Sequence, residues 1–407
     1  MKTTAKKYIA LLLALVMLTL AFVACAPAQT DKEPDPTPEA TQPAAPVETP
    51  EATPEPSDDD VDGELILDHE EAFAYANRFT LTRYKGGYTM FTIPETMGDA
   101  QYLIVPEGKS VPENLPENTV VLQQPLNRIC AASSSLMSLT SAINGLDSIA
   151  TVATDVSGWN IQSVVDKMNA GQIKFSGKYS EPDFEMIMNE GVQLEIDTTM
   201  LSGKPEIMAK YEELGIPYVI EDSSKEEHPL GRMEWVKLMG ALLGLDEEAA
   251  TFFDEAVAKV NALSGSEKAG KTVCMYYITS DGTVYARNGG DYMVKMLEIA
   301  GGDYIMADVG AEESGNAKLT FEEFYASCSE ADYIIWVVMA CPYESVEDMI
   351  AANSLFADFK AVQEGNVYTT KPGFSQATAE IADVIVEFNT ILNDPTVEET
   401  GWLLKLK

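Results

Sequence analysis

Histidine is almost missing from this 407-residue chain, which has only His69 and His228. Two are too few for a zinc hydrolase site built on three histidines, and they leave little for acid–base chemistry. Positive charge is also scarce: 27 Lys and Arg stand against 65 Asp and Glu, a net charge of −38. A protein that neutralises a phosphate backbone needs a basic stripe to release counterions, so no nucleic-acid partner is expected. Five cysteines occur without a CxxC spacing. Cys130 and Cys274 sit inside apolar runs, where a free cysteine behaves as a small core hydrophobe, so neither a metal nor a redox site is expected. No GxSxG elbow surrounds Ser133–Ser135 and no histidine is placed as a base. We therefore assign no catalytic residue, expect no cofactor, and do not expect an enzyme.

What is present begins with an address. Residues 1–24 combine Lys2, Lys6 and Lys7 with the apolar run Tyr8 to Val23, the make-up of a targeting segment. The run ends at Phe22-Val23-Ala24-Cys25, which resembles the bacterial lipobox with Phe22 where Leu is usual. Lipidation of Cys25 would hold the chain on the extracytoplasmic face of a membrane. Residues 25–63 follow as a Pro-rich, acidic segment, an extended and self-repelling linker. The acidity is not confined to it, because residues 64–407 still carry 54 acids and 23 bases.

With 46% hydrophobic residues this body can bury large cores, and its length exceeds what one core usually holds. Residues 64–125 carry short apolar or alternating stretches between Gly-Gly and Pro-rich turns, a small β-rich N-terminal addition. Residues 126–245 and 265–407 each show strands separated by helical segments in a similar order. The first copy opens on the strand Arg128 to Ala132, the second on Val273 to Ile278. This is an α/β pattern with parallel sheets, and its repetition predicts two Rossmann-like lobes. Residues 246–264 form the expected single bridging helix, with Asp246 read as its N-cap and Phe252, Phe253, Ala256, Val257, Val260 and Leu263 on one face.

Gly265 to Thr272 matches a phosphate-binding loop letter for letter, but a helix precedes it and a strand follows, the reverse of the order that chemistry needs. It is read as a helix-to-strand connection. Ligands in parallel α/β folds bind at the carboxyl ends of strands. On that ground Ser133, Ser134, Trp159, Arg232, Arg287, Trp336 and Phe374 are cleft candidates. Glu185 and Glu322 occupy matching places in the two copies, each after an aromatic residue at a helix start. A carboxylate there is already stabilised by the helix dipole, but its symmetric repetition suggests two acidic pegs for one partner.

Several segments carry a family likeness: Arg128 to Val152, PDFEMIMNEGVQLEI (Pro182 to Ile196), KYEELGIPYVIED (Lys210 to Asp222), HPLGRMEWVKLMGALLG (His228 to Gly244) and YARNGGDYMVKMLEIAGGDYI (Tyr285 to Ile305). Over roughly residues 125–395 the chain resembles the substrate-binding proteins of ABC importers for iron–siderophores, haem and cobalamin. The resemblance implies two α/β lobes bridged by one helix, a ligand in the cleft, and one glutamate per lobe docking onto arginines of the permease. Glu185 and Glu322 match those positions, with Glu323 adjacent. It also implies a monomer working with a permease and its ATPase, and an iron or cobalt chelate as cargo. The sister family for bare zinc or manganese uses several histidines, which this chain lacks. A ferric siderophore, haem and a corrinoid all remain open, although an acidic body accommodates a highly anionic chelate less readily than a neutral one. The readings from other classes are a surface tetrapyrrole chelatase and a ligand sensor without transport.

Overall fold

The computed structural model describes residues 63–263, 269–337 and 341–407; Cys25 and Gly265 to Lys268 of the phosphate-loop lookalike lie outside them. The N-terminal addition is a five-stranded sheet of β1 (Leu67–Glu70), β2 (Thr80–Tyr84), β3 (Thr89–Thr92), β4 (Gln101–Val105) and β5 (Thr119–Gln123) in that order. It is antiparallel as far as β4, which β5 joins in parallel. Side chains alternate between the faces of a strand, so Tyr102 and Ile104 of β4 enter the main core. Leu103 and Val105 instead close a small separate core with Tyr88 and Met90.

Two buried carboxylates tie this addition to the first lobe. Glu234 accepts the backbone N–H groups of Ala74, Tyr75 and Ala76 at 3.0, 2.8 and 2.9 Å. Glu226 accepts those of Asn77 and Arg78 and the indole N–H of Trp235, the last at 2.9 Å. Removing such an acceptor strands several part-buried donors at once. Glu234→Ala is expected to cost about 3 kcal/mol or more, seen as a lower midpoint in urea unfolding, whereas Glu234→Gln retains part of the stability.

The first lobe contains β6 (Ile129–Ala131), β7 (Ile149–Val152), β8 (Lys174–Phe175), the short pair β9 (Gly177–Lys178) and β10 (Glu181–Pro182), β11 (Leu194–Asp197) and β12 (Tyr218–Ile220). Its main sheet runs β12-β11-β6-β7-β8 and is parallel throughout. The second lobe contains β13 (Thr272–Ile278), β14 (Val284–Arg287), β15 (Asp303–Tyr304), β16 (Asn316–Leu319), β17 (Tyr333–Trp336), β18 (Val367–Thr370) and β19 (Leu403–Lys405). Its parallel centre, β13-β17-β18, matches the expected repeat. The antiparallel strands β14, β16 and β19 were not expected. Strand β14 is antiparallel because β13 turns back through Asp281-Gly282, where Gly282 has φ 82° and the Asp281 carboxylate accepts from the Thr279 hydroxyl and the Thr283 N–H; β16 then pairs with β14, and β19 with β18.

The bridging helix runs Asp246–Asn261 and buries Ala249, Phe253, Ala256 and Val260. It packs on helix Val236–Leu243 of the first lobe and helix Ile381–Asn393 of the second, with Lys259 paired to Asp383 at 2.7 Å. Gly240 permits the close approach: a Cβ there would lie 2.7 Å from that of Ala249. Asp246 is not the cap. Leu245 holds that position without a side-chain bond, and the Asp246 carboxylate accepts from Arg83 Nη2 of the N-terminal sheet at 2.7 Å. The partner 163 residues away outcompetes the local role.

Candidate ligand cleft

The lobes meet along the segment that follows β18. Gln376 bridges them in both directions: its side-chain oxygen accepts the Asn160 N–H at 2.8 Å, and its amide donates to the Gly158 carbonyl at 2.8 Å. The Ala379 N–H donates to Ser138 Oγ at 3.0 Å. Beside this contact lies a cavity of about 170 Å³ lined by Ser135, Arg232, Arg287, Tyr292, Phe374 and Thr378, among others. It shares Ser375 with a larger cavity of about 600 Å³, which Asn160 of the first lobe and Tyr343, Lys371 and Gly373 of the second help to line. Gly373 is required there, because it has φ 88° and its Cβ would lie 2.5 Å from that of Asn160.

Arg232 comes from the first lobe, on helix Pro229–Glu234, which His228 caps by accepting the Leu230 N–H. Its Nε and Nη2 donate to the Ser223 and Ser224 carbonyls at 3.1 and 2.9 Å, and its guanidinium lies 3.7 Å from the ring centroid of Tyr292. Glu221 lies in the same loop. Burial pushes its carboxyl up, while hydrogen bonds from Ser223 and Ser133 and the charge of Arg232 pull the other way. Arg287 comes from the second lobe, at the end of β14. The turn after it is set by close backbone packing: a Cβ at Gly289 would lie 1.9 Å from the Ala307 carbonyl oxygen. Asp291 then caps helix Tyr292–Ile299 through the Met293 N–H.

Of the residues singled out from sequence, Arg232, Arg287 and Phe374 thus share one cavity wall. Ser133, Trp159 and Trp336 are corrections. Ser133 is 1% exposed, caps helix Ser134–Ala142 and donates to Glu221 at 2.8 Å. Trp159 is 5% exposed with its indole N–H on the Thr154 carbonyl. Trp336 lies edge-on to Tyr276 and Tyr343 in the core of the second lobe. Each is placed by a strand end, as expected, but core packing takes its side chain. Ser134 lines neither cavity, whereas Ser135 lines the smaller one. Sequence reading missed Tyr292, Gln376 and Thr378. The Gly289-Gly290-Asp291 run before Tyr292 was the available signal for the first.

Glu185 and Glu322 both stand second in their helices, exposed, after Phe184 and Phe321 and the capping side chains of Asp183 and Thr320. Glu323 is otherwise engaged. It completes a capping box by accepting from the Thr320 N–H at 2.8 Å and hydroxyl at 3.0 Å, which holds its carboxyl below the usual range. Cys130, Cys274 and Cys328 are buried.

Two α/β lobes tied by one helix, with wall residues from both facing a shared cavity, define a solute-binding protein. The model of the periplasmic binding protein family matches residues 152–373, and the chain belongs to that family. Its members are binding proteins rather than enzymes. An uncharacterized lipoprotein of Methanocaldococcus jannaschii is 28% identical over 289 residues, covering 69% of this chain and 68% of the relative. Family and relative alike indicate a place outside the cytoplasm. The fold is also that of a periplasmic haem-binding protein of Vibrio cholerae (TM-score 0.53, 14% identity, 65% of this chain and 98% of that one). A periplasmic haem-binding protein of Pseudomonas aeruginosa is similar (TM-score 0.52, 15% identity, 69% and 98%).

Proposed function

We propose that the chain is a lipoprotein, anchored through Cys25, that captures an iron or cobalt chelate between its lobes and delivers it to an ABC permease and ATPase. The observation that carries this reading is the cavity walled by one arginine from each lobe, with Tyr292 and Phe374 beside them. A ligand held there touches both lobes at once. Among the described residues no group of three or more His, Cys, Asp or Glu could hold a bare ion, which favours a metal carried inside a chelator. Haem binding by the two structural relatives supports a chelate of that size class. In this reading the protein works as a monomer, and Glu185 and Glu322 dock it on the permease.

The test is retention of cargo. The full-length protein in detergent is exposed separately to haemin, cobalamin and ferric siderophores, desalted, and examined by absorbance and native mass spectrometry. One chelate is expected to stay bound at one per chain. Loss of every chelate on desalting, with none protecting the protein against thermal unfolding, overturns the reading.

A further inference from the structure

The cleft carries a buried hydrogen-bond donor that its own residues leave unanswered. Arg287 is 7% exposed, yet its Nε–H has no hydrogen-bond partner. The neighbouring acid balances the charge but does not supply that bond: Asp291 Oδ2 forms an ion pair with Arg287 Nη1 at 3.7 Å, beyond hydrogen-bond length. That carboxylate is already served by the N–H groups of Met293 and Gly315 at 3.0 and 2.8 Å and by the Ser314 hydroxyl at 3.5 Å. A buried donor on a charged group that finds no acceptor is costly, and native proteins rarely leave one without a reason.

Arg232 faces the same cavity from the opposite lobe. Two of its nitrogens are held by backbone carbonyls and its plane is braced by Tyr292, so the fork is oriented before any ligand arrives. Its third nitrogen, Nη1, has no partner among the described residues. The cavity also runs against the charge of the whole molecule. Residues 64–407 hold 54 acids and 23 bases, but two arginines and no acid line this wall.

We propose that the cargo is an anionic, carboxylate-bearing metal chelate, and that Arg287 and Arg232 together grip one of its carboxylate arms. The inference rests on reading the cleft as the cargo site and narrows what that site accepts. Size agrees with it. The smaller cavity, at about 170 Å³, falls below the ~300–1,000 Å³ of a whole-ligand site and suits one arm. The adjoining space of about 600 Å³ suits the body of the chelate. Because the arginines belong to different lobes, one carboxylate placed between them also holds the lobes together.

The experiment uses full-length protein in detergent, titrated by tryptophan fluorescence with four probes. Ferric citrate and haemin carry carboxylates; ferrioxamine B and cobinamide carry none. At least one carboxylate chelate is expected to bind more tightly than both others, and which of the two does so separates a citrate-type arm from a propionate. Arg287→Met is expected to weaken that chelate about 10- to 100-fold, as for loss of charge-assisted hydrogen bonds, and Arg232→Met to weaken it also. Without ligand, Arg287→Met should melt below wild type, because it leaves the buried Asp291 without its ion-pair partner. Arg287→Lys keeps a charge beside Asp291 but loses the planar fork, so it should melt close to wild type and still bind the chelate more weakly; wild-type affinity in Arg287→Lys overturns the proposal. Tighter binding of ferrioxamine B or cobinamide, unchanged in both variants, overturns it too while leaving chelate capture standing. Binding of none of the four overturns it together with the broader reading.

Discussion

Cells carrying the double variant Glu185→Arg, Glu322→Arg are expected to lose chelate import to the level of cells without the protein, while the purified variant binds its chelate unchanged. Both carboxylates are exposed and neither lines the interlobe cavities. Each is presented by a helix whose first residue is anchored. Phe184 packs edge-on to Tyr211 at 5.3 Å, and Phe321 against Phe324 and Phe356 at 5.8 and 5.0 Å. The helix starts that carry the pegs are therefore anchored, one on each lobe. If arginines of the permease receive them, reversal brings like charges face to face, which costs several kcal/mol and weakens docking about 100-fold or more. The loss of a first-turn acid costs the protein itself only about 0.3–1 kcal/mol per helix, so the fold survives. Glu323→Gln is the control: it disturbs the capping box and lowers stability slightly, but leaves import intact. Normal import by the double variant would sink the docking assignment.

The second large effect is on stability against pH. Strand β11 alternates, so Leu194 and Ile196 enter the main core while Glu195 and Asp197 face the smaller core containing Cys130, Tyr211 and Ile207. Glu195 is 1% exposed, and one of its oxygens has no partner. Burial, then the neighbouring Asp197, pushes its carboxyl up to about 8, against hydrogen bonds with Cys130 and Tyr211. Asp197, also buried, is pushed up to about 6, with the N–H of Thr198 opposing and Glu221 adding to the rise. A carboxyl raised in the folded state contributes stability that is complete below its unfolded value. That stability is lost as pH climbs through the folded one. The wild-type melting temperature is therefore expected to fall between pH 5 and pH 9. Glu195→Gln mimics the neutral acid: it should match wild type at pH 5 and exceed it by roughly 2–4 kcal/mol at pH 9. Parallel melting curves for the two proteins across that range would refute the assignment.

The parallel centres of both lobes were legible because each strand is an apolar run of a few residues closed by a polar or glycine signal, such as Val273 to Ile278. Strands β14 and β16 were not. Their sequences, Val-Tyr-Ala-Arg and Asn-Ala-Lys-Leu, carry too little periodicity over four residues to stand out. Asp246 shows the limit of local rules, since a good capping residue was drawn away by Arg83. The acidic composition says little about the cavity wall for a related reason, as net charge is a sum and a wall is a selection from it: two arginines and no acid line the smaller cavity. Arg232 and Arg287 were both candidates, but that they line one cavity from two lobes appears nowhere in their 55-residue separation along the chain.

The sequence by itself determined the class of fold, the two-lobe repeat with its bridging helix, and the family, because these depend on hydrophobic pattern and segment order, which are local. Only the tertiary structure decided which side chains reach the cleft. Burial took Ser133, Trp159 and Trp336 into the fold, while Arg287 was left in the wall with an unpaired N–H. The physical reason is that a side chain's partners are chosen by proximity in space, and the strongest partner is often far away in the chain.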